Sequence, residues 1–180
     1  MTPGIISTVV GGANGHAAGI VGADGPAKQA EVSFINGYAI DPIGNQFISD
    51  TENEVIWKVD TAGKIHLYAG TPWPYGGYAQ GVEGDGGTAL GAEIGYAGPL
   101  ALDSRGGLYL GDNNGNNYGQ PTELRYIDSA TNSIINFVGF TTPATWSPST
   151  GFGPTNRLQV NVNGTTYLFT AFTGLSLIHI

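Results

Sequence analysis

Apolar residues fall in four short runs, 38–41, 46–50, 55–60 and 64–69, separated by polar turn residues, with no helical periodicity between them. Runs this short, rich in Val, Ile, Tyr and Phe, predict β-strands. The breaks carry turn chemistry. Asp41-Pro42-Ile43-Gly44-Asn45 offers a proline at the second turn position and a glycine for positive φ. Asp50-Thr51-Glu52-Asn53 and Asp60-Thr61-Ala62-Gly63 repeat the device, with an Asp able to bond the backbone two residues on. Four antiparallel strands in an up-and-down meander are the expected unit.

The unit occurs twice. Gly22-Ala23-Asp24-Gly25-Pro26-Ala27 aligns with Gly84-Asp85-Gly86-Gly87-Thr88-Ala89, sixty-two positions later, and Ala30-Glu31-Val32 aligns without a gap with Ala92-Glu93-Ile94. Tyr38-Ala39-Ile40-Asp41 meets Leu100-Ala101-Leu102-Asp103, and 44–50 meets 106–112. After an insertion in the second copy, Val55-Ile56-Trp57-Lys58-Val59-Asp60 meets Glu123-Leu124-Arg125-Tyr126-Ile127-Asp128. The last strand appears three times, at 4–11, 63–70 and 132–139. A fixed period means one supersecondary unit stacked on itself, and a four-stranded meander repeated this way is a propeller blade.

The expected fold is therefore all-β, a partial β-propeller of two to three four-stranded antiparallel blades whose ring is not closed. Residues 1–174 form it, with blades at about 22–70 and 84–139 and with 1–11 as the outer strand of a preceding blade. A divergent partial blade at 153–174 contains strands 158–162 and 166–170, joined by a hairpin at Asn163-Gly164. The pattern is entered mid-unit and decays before a third full copy, so a fragment of a larger propeller is expected. Its sheet edges would be left open to aggregation.

The ordered set of Gly22 to Ala27, Ala39-Ile40-Asp41, 44–53, 55–60 and 63–70 resembles the NHL-repeat β-propeller family, over roughly residues 4–139. It looks most like the variety found in large bacterial secreted or envelope-associated proteins. Two departures stand out. Ile35-Asn36-Gly37 and Ala97-Gly98-Pro99 replace the Pro-x-Gly that usually opens the innermost strand, and 113–121 replaces a short turn. The resemblance implies a ring of commonly six blades, and hence that the remaining blades of the same chain are missing here. It also implies a location outside the cytoplasm, secreted or in the cell envelope.

Composition sharpens the picture by exclusion. Thirty glycines with 11% charged and 41% hydrophobic residues suit short strands joined by tight turns. A net charge of −8 with six scattered Lys and Arg argues against a nucleic-acid partner. No run reaches the length of a membrane-spanning helix, and the N-terminus shows no signal-peptide pattern. With no Cys there is no disulfide or thiol chemistry, which leaves the compartment open. The tail Leu175-Ser176-Leu177-Ile178-His179-Ile180 matches the translation of a transposase adapter used to prepare sequencing libraries. Residues 175–180 are therefore expected to be adapter-derived, and His179 to have no role.

Candidate chemistry is sparse. The recurrent Asp24 or Asp85, Asp41 and Asp103, Asp50 and Asp112, and Asp60 and Asp128 could be metal ligands. Their return at the same turn in each copy instead predicts Asx turns or inter-strand caps. His16 lies in a Gly/Ala-rich loop and His66 on a repeated outer strand, so neither matches the inner-strand metal histidines of propeller lyases, and both are expected at the surface. Gly84-Asp85-Gly86-Gly87 lacks the Lys and the helix of a phosphate loop, and no nucleophile motif is present. No catalytic residue, metal or cofactor is expected.

The loops 11–21, 71–83 and 140–153 fall on one face, and they hold Trp73, Tyr75 and Tyr78, and Phe140, Trp146 and Phe152. Aromatics among Gly, Pro and Ser on a rigid scaffold suit recognition of a protein or carbohydrate. Equally, they suit plugging the seams between blades. The expected function is a non-catalytic binding scaffold. Its rivals are a fragment of a gluconolactonase-like or lyase propeller enzyme whose catalytic residues lie on missing blades, and a plain spacer within a long adhesin.

Overall fold

The turn aspartates fix where strands stop. Asp41 Oδ1 accepts from the backbone N–H of Ile43 and Asn45 (3.1 and 2.8 Å), and Asp103 Oδ1 from those of Arg105 and Gly107 (both 2.8 Å). Asp60 Oδ1 accepts from Ala62 and Lys64 (both 2.9 Å), and Asp128 Oδ1 from Ala130 and Thr131 (3.1 and 2.9 Å). The bond from Lys64 holds the Asp60 carboxyl below the ordinary range, and the bonds from Thr131 do the same for Asp128. Gly44, Gly63 and Gly106 supply the positive φ these turns need, and Asn132 does so in the fourth.

The structure is a computed structural model describing residues 4, 6–12, 19–72, 83–112 and 123–139, together with the backbone of strands at 157–162, 165–170 and 178–179. Strands β1 (Ile35–Ile40), β2 (Gln46–Asp50), β3 (Val55–Val59) and β4 (Ile65–Ala69) form one antiparallel four-stranded sheet in chain order. β5 (Leu100–Leu102), β6 (Leu108–Asp112), β7 (Glu123–Ile127) and β8 (Ile134–Gly139) form a second. β9 (Arg157–Val162), β10 (Thr165–Thr170) and β11 (Ile178–His179) make a third sheet, with Thr165 paired to Val162 across the hairpin and Ile178 to Leu168. Residues 178–179, expected to be adapter-derived, thus lie on a strand. β1 starts three residues before the apolar run at Tyr38, through a register shift between Ile35 and Gly37. β5 is short because Pro99, just before it, has no N–H to donate.

The Gly-Asp-Gly segments, read in the sequence only as the opening of each blade, have a structural role. They are straps across the outer strand. Asp24 N–H donates to Ile65 O (2.7 Å), Ile65 N–H to Gly25 O (3.0 Å) and Ala27 N–H to Gly63 O (2.8 Å). In the second blade Gly86 donates to Ile134 O (2.7 Å), Ile134 to Gly87 O (3.1 Å) and Ala89 to Asn132 O (2.8 Å). Each strap ends in a short 3₁₀ turn, Ala27–Gln29 or Ala89–Gly91, where the sequence showed no helical signal. Each strap therefore covers the start of its outer strand, Ile65 or Ile134, and discourages edge-to-edge pairing there.

Straps also form the seam. The strap residues Ala89, Ala92 and Ile94 sit between Ala39, Phe47, Ile56 and Ala69 of the first sheet and Leu108, Leu110, Ile127 and Ile134 of the second, all buried. The strap residues Ala27 and Ala30 cover Ile48, Val55, Trp57, Val59 and Ile65 on the other side of the first sheet. Each buried Val, Leu, Ile or Phe among them contributes about 1.5–3 kcal/mol, and the alanines less. Gly70 N–H at the end of β4 bonds Ala89 O (2.8 Å), and Gly11 N–H bonds Ala27 O (3.0 Å), the same tie one repeat earlier. β1 and β5, the first strands of the two sheets, run side by side. This is a partial β-propeller, two four-stranded blades around adjoining inner strands with the ring left open.

The seam narrows at the inner strands, which use small residues there. A Cβ on Gly37 would overlap the Gly98 carbonyl oxygen and lie 2.8 Å from Ser49 Oγ and 3.0 Å from Leu100 Cγ. Gly37→Ala is expected to destabilise the protein by about 1–3 kcal/mol, read as a lower urea midpoint. An unchanged midpoint would mean the inner strands are not this close.

Candidate functional site

Antiparallel register places every connection at one of two ends of the blades. At one end lie the four Asx-stabilised turns at 41–45, 60–64, 103–107 and 128–133. At the other end Asp50 pairs with Val55, Ile56 with Ala69, Asp112 with Glu123, and Glu123 with Gly139. Chain segments 51–54, 70–99, 113–122 and 140–156 therefore all leave from this second end. The insertion in the second copy emerges beside the inter-blade connections.

Trp73, Tyr75, Tyr78 and Trp146 belong to these segments but lie outside the described residues, as do Phe140, Phe152 and the insertion at 113–122. His16 lies outside them too. What the structure shows is the platform from which those loops depart.

That platform is built on two buried carboxylates. Asp50 and Asp112, each 0% exposed, end the second strand of their blades. The sequence reading gave them as Asx-turn or inter-strand cap residues; Asp50 Oδ1 does accept the backbone N–H of Asn53 (3.2 Å), and what the sequence did not show is that both carboxylates are buried. Asp50 Oδ2 accepts from Trp57 Nε1 (3.0 Å) and Asn53 Nδ2 (2.9 Å), and the carboxylate also accepts the Ser33 N–H. Asp112 Oδ1 accepts the Gly95 N–H (3.0 Å), and its Oδ2 accepts from Arg125 Nη1 (3.1 Å). Burial pushes the Asp50 carboxyl up, and the bonds from Asn53 and Trp57 work against that rise. The Thr51–Glu54 turn then ties three segments together. Gly19 N–H donates to Asn53 Oδ1 (2.9 Å), Ser33 Oγ to a Glu52 carboxylate oxygen, and Thr51 Oγ1 to Ala97 O of the next blade (2.8 Å).

At the same repeat position, Trp57 in one blade is Arg125 in the other. Arg125 is fully buried and spends its fork on Asp112, on Asp85 (Nε at 3.1 Å, Nη2 at 2.9 Å) and on the carbonyls of Glu93 and Glu83. Asp85 aligns with Ala23, which packs against the Trp57 cluster. A charge at the core position is thus matched by a charge in the strap. The amides of Gly86 and Gly87 are committed to Ile134 O and Gly84 O, so this loop is a clasp for Arg125.

Paired exchange recurs at the rim. His66 Nδ1 lies 2.7 Å from Asp24 Oδ1 and Nε2 lies 3.3 Å from Asp60 Oδ2, and in the second blade the positions of Asp24 and His66 hold Gly86 and Ile135. Asp24 and Asp85 therefore anchor straps and do not make Asx turns. Sequence reasoning missed both pairs because it read each residue type singly. The signal was the joint change of two aligned positions, Trp57 with Ala23 and His66 with Asp24. His66 lies on an outer strand, at the end of the blade away from the long connections. Among the described residues, no group of three His, Asp or Glu side chains is arranged to hold a metal ion.

Comparison with known proteins adds little beyond the fold. No family model and no curated protein matches the chain. Among solved structures it is similar to virginiamycin B lyase from Staphylococcus aureus, at 14% identity and a TM-score of 0.41 over 75% of this chain. The chain spans about a third of that protein, 34%.

Two outcomes test this geometry. Arg125→Ala leaves Asp112 buried without its cation and is expected to cost about 3–5 kcal/mol in denaturant unfolding. Arg125→Trp combined with Asp85→Ala, which copies the first blade, should lose clearly less. Equal losses would show that the two blades do not use equivalent locks. For His66, the bonds to Asp24 and Asp60 raise its pKa above the ordinary 6.5. Its stabilising effect is therefore complete below the unfolded-state pKa and disappears as pH rises through the raised folded value. The Tm gap between the wild type and His66→Gln should be larger at acidic than at alkaline pH. A pH-independent gap would refute the ion pairing.

Proposed function

We propose that this chain is a non-catalytic NHL-type propeller scaffold that binds a protein or glycan through the end carrying its long connections. The observation behind this reading is the asymmetry of the blades. Tight Asx turns close one end, whereas all the chain length outside the repeat leaves from the other, above a platform locked by Asp50, Asp112 and the Thr51–Glu54 turn. Loops on a rigid scaffold are where binding residues concentrate. The aromatics at Trp73, Tyr75, Tyr78 and Trp146 supply the contact chemistry, since flat amphipathic rings stack on sugars and anchor protein interfaces. On this reading the module works in a bacterial secreted or envelope setting, where adhesion to surface polymers is useful.

Screening the purified chain against a glycan array and immobilised cell-surface proteins, followed by titration of any hit, tests the proposal. Trp73→Ala and Trp146→Ala should each weaken binding at least about tenfold with an unchanged urea midpoint. Loss of stability with no specific effect on binding would assign these aromatics to the seams between blades instead. A stoichiometric divalent ion in the purified protein would favour an enzyme.

A further inference from the structure

We propose that protonated His66 latches the strap of the first blade onto its outer strand, a pH-operated device that the second blade lacks. Three features carry this: the two partners of the ring, the backbone at Asp24, and the residues that the second blade holds at the same positions.

His66 on β4 has a carboxylate at each ring nitrogen, Asp24 of the strap at Nδ1 (2.7 Å) and Asp60 of the β3–β4 turn at Nε2 (3.3 Å). A neutral imidazole has one N–H and one lone pair. It can donate to only one of the two carboxylates and must turn its lone pair on the other. Only the imidazolium donates to both, so the proton decides whether strap and turn are bridged. The ring is 39% exposed and exchanges that proton with solvent.

The other ionisable groups around the ring do not titrate with it. Lys58 stands opposite His66 on β3 and turns its ammonium over the Phe47 ring (5.8 Å). Lys64 and Tyr68 flank His66 along β4. Burial, and then the charge of Asp128, push the Tyr68 hydroxyl up to about 12. The bonds to Asp24 and then Asp60 raise His66 above 6.5. The latch is therefore closed below the open-state pKa and releases as pH rises through the raised closed-state value.

Asp24 has a backbone φ of 60°, a region that glycine enters freely and L side chains rarely occupy. The aligned residue in the second blade is Gly86, with φ 85°. The first blade thus carries a carboxylate where glycine would be unstrained, and that carboxylate meets His66. In the second blade Ile135 takes the place of His66, while Asp128 still stands at that of Asp60. There the strap is clasped through Asp85 and Arg125 (2.9 Å), and a guanidinium keeps its charge throughout this pH range. Proton release therefore reaches one blade and spares the other. Because Asp24 and Ile65 are joined through the strap's backbone bonds, strap and strand start open together.

Amide hydrogen exchange of the full chain at about pH 5.5 and about pH 8.5, with each rate corrected for its intrinsic pH dependence, tests this. The amides of Asp24, Ala27 and Ile65 should open about fivefold more often at the higher pH, and those of Gly86, Ala89 and Ile134 should not change. His66→Gln, at an exposed position, should remove the dependence and hold the first strap at its high-pH level throughout. Gly86→Asp combined with Ile135→His should install the dependence in the second blade. A Cβ on Gly86 meets open space, and Asp128 already supplies the second carboxylate. A first strap that opens equally at both pH values overturns the proposal. So does a change of equal size in both blades, which would mean a global effect, or a His66→Gln variant that keeps the dependence. A transplanted pair that leaves the second blade unresponsive overturns it as well.

Discussion

The fold turns on a carboxylate buried at the end of the second strand of each blade. Asp50 and Asp112 have no access to water, and a buried carboxylate without donors would cost several kcal/mol. Each takes a backbone N–H from the chain entering its own blade, from Ser33 or Gly95, and a side-chain donor from the third strand, Trp57 or Arg125. One group thereby fixes the path of the incoming connection, the pairing of second and third strands, and the position of the strap. Failure of any donor would leave the others holding an unsatisfied charge, which makes the arrangement cooperative.

The two blades reach this solution with different chemistry. Trp57 brings area and a single N–H; Arg125 brings a guanidinium, which needs a second carboxylate, and Asp85 stands in the strap to provide it. At the rim the exchange runs the other way, with Asp24 and His66 giving way to Gly86 and Ile135. In each blade, then, one strap aspartate is held by one basic side chain, Arg125 at the core in one case and His66 at the surface in the other. A buried pair of this kind adds little net stability over an apolar pair of the same shape, so its contribution is to fix the register of strap on blade.

Much of this was legible in the sequence. Strands 46–50 and 55–60 were visible because apolar residues bounded by Asp and Gly leave few alternatives, and the repeat converted one blade into two. The Asx turns at Asp41, Asp60, Asp103 and Asp128 were legible for the same reason, being local chemistry. The turn role of Asp50 was legible as well, but the burial of Asp50 and Asp112 was not, because their side-chain partners, Trp57 and Arg125, lie on a neighbouring strand. The straps were invisible to strand patterns, since Gly22-Ala23-Asp24-Gly25 pairs with β4 through backbone groups that carry no side-chain signature. For the candidate site, the sequence located the aromatic loops, and the structure contributes the reason they share one end.

The central claim is that straps and blades form single locked units around Asp50 and Asp112. Amide hydrogen exchange measures this most directly. The account predicts that the strap amides of Asp24, Ala27, Gly86 and Ala89 open with the same free energy as the strand amides of Ile65 and Ile134 that they face, and that Asp112→Asn lowers both together in the second blade only. Strap amides that exchange freely while the strands stay protected would contradict it.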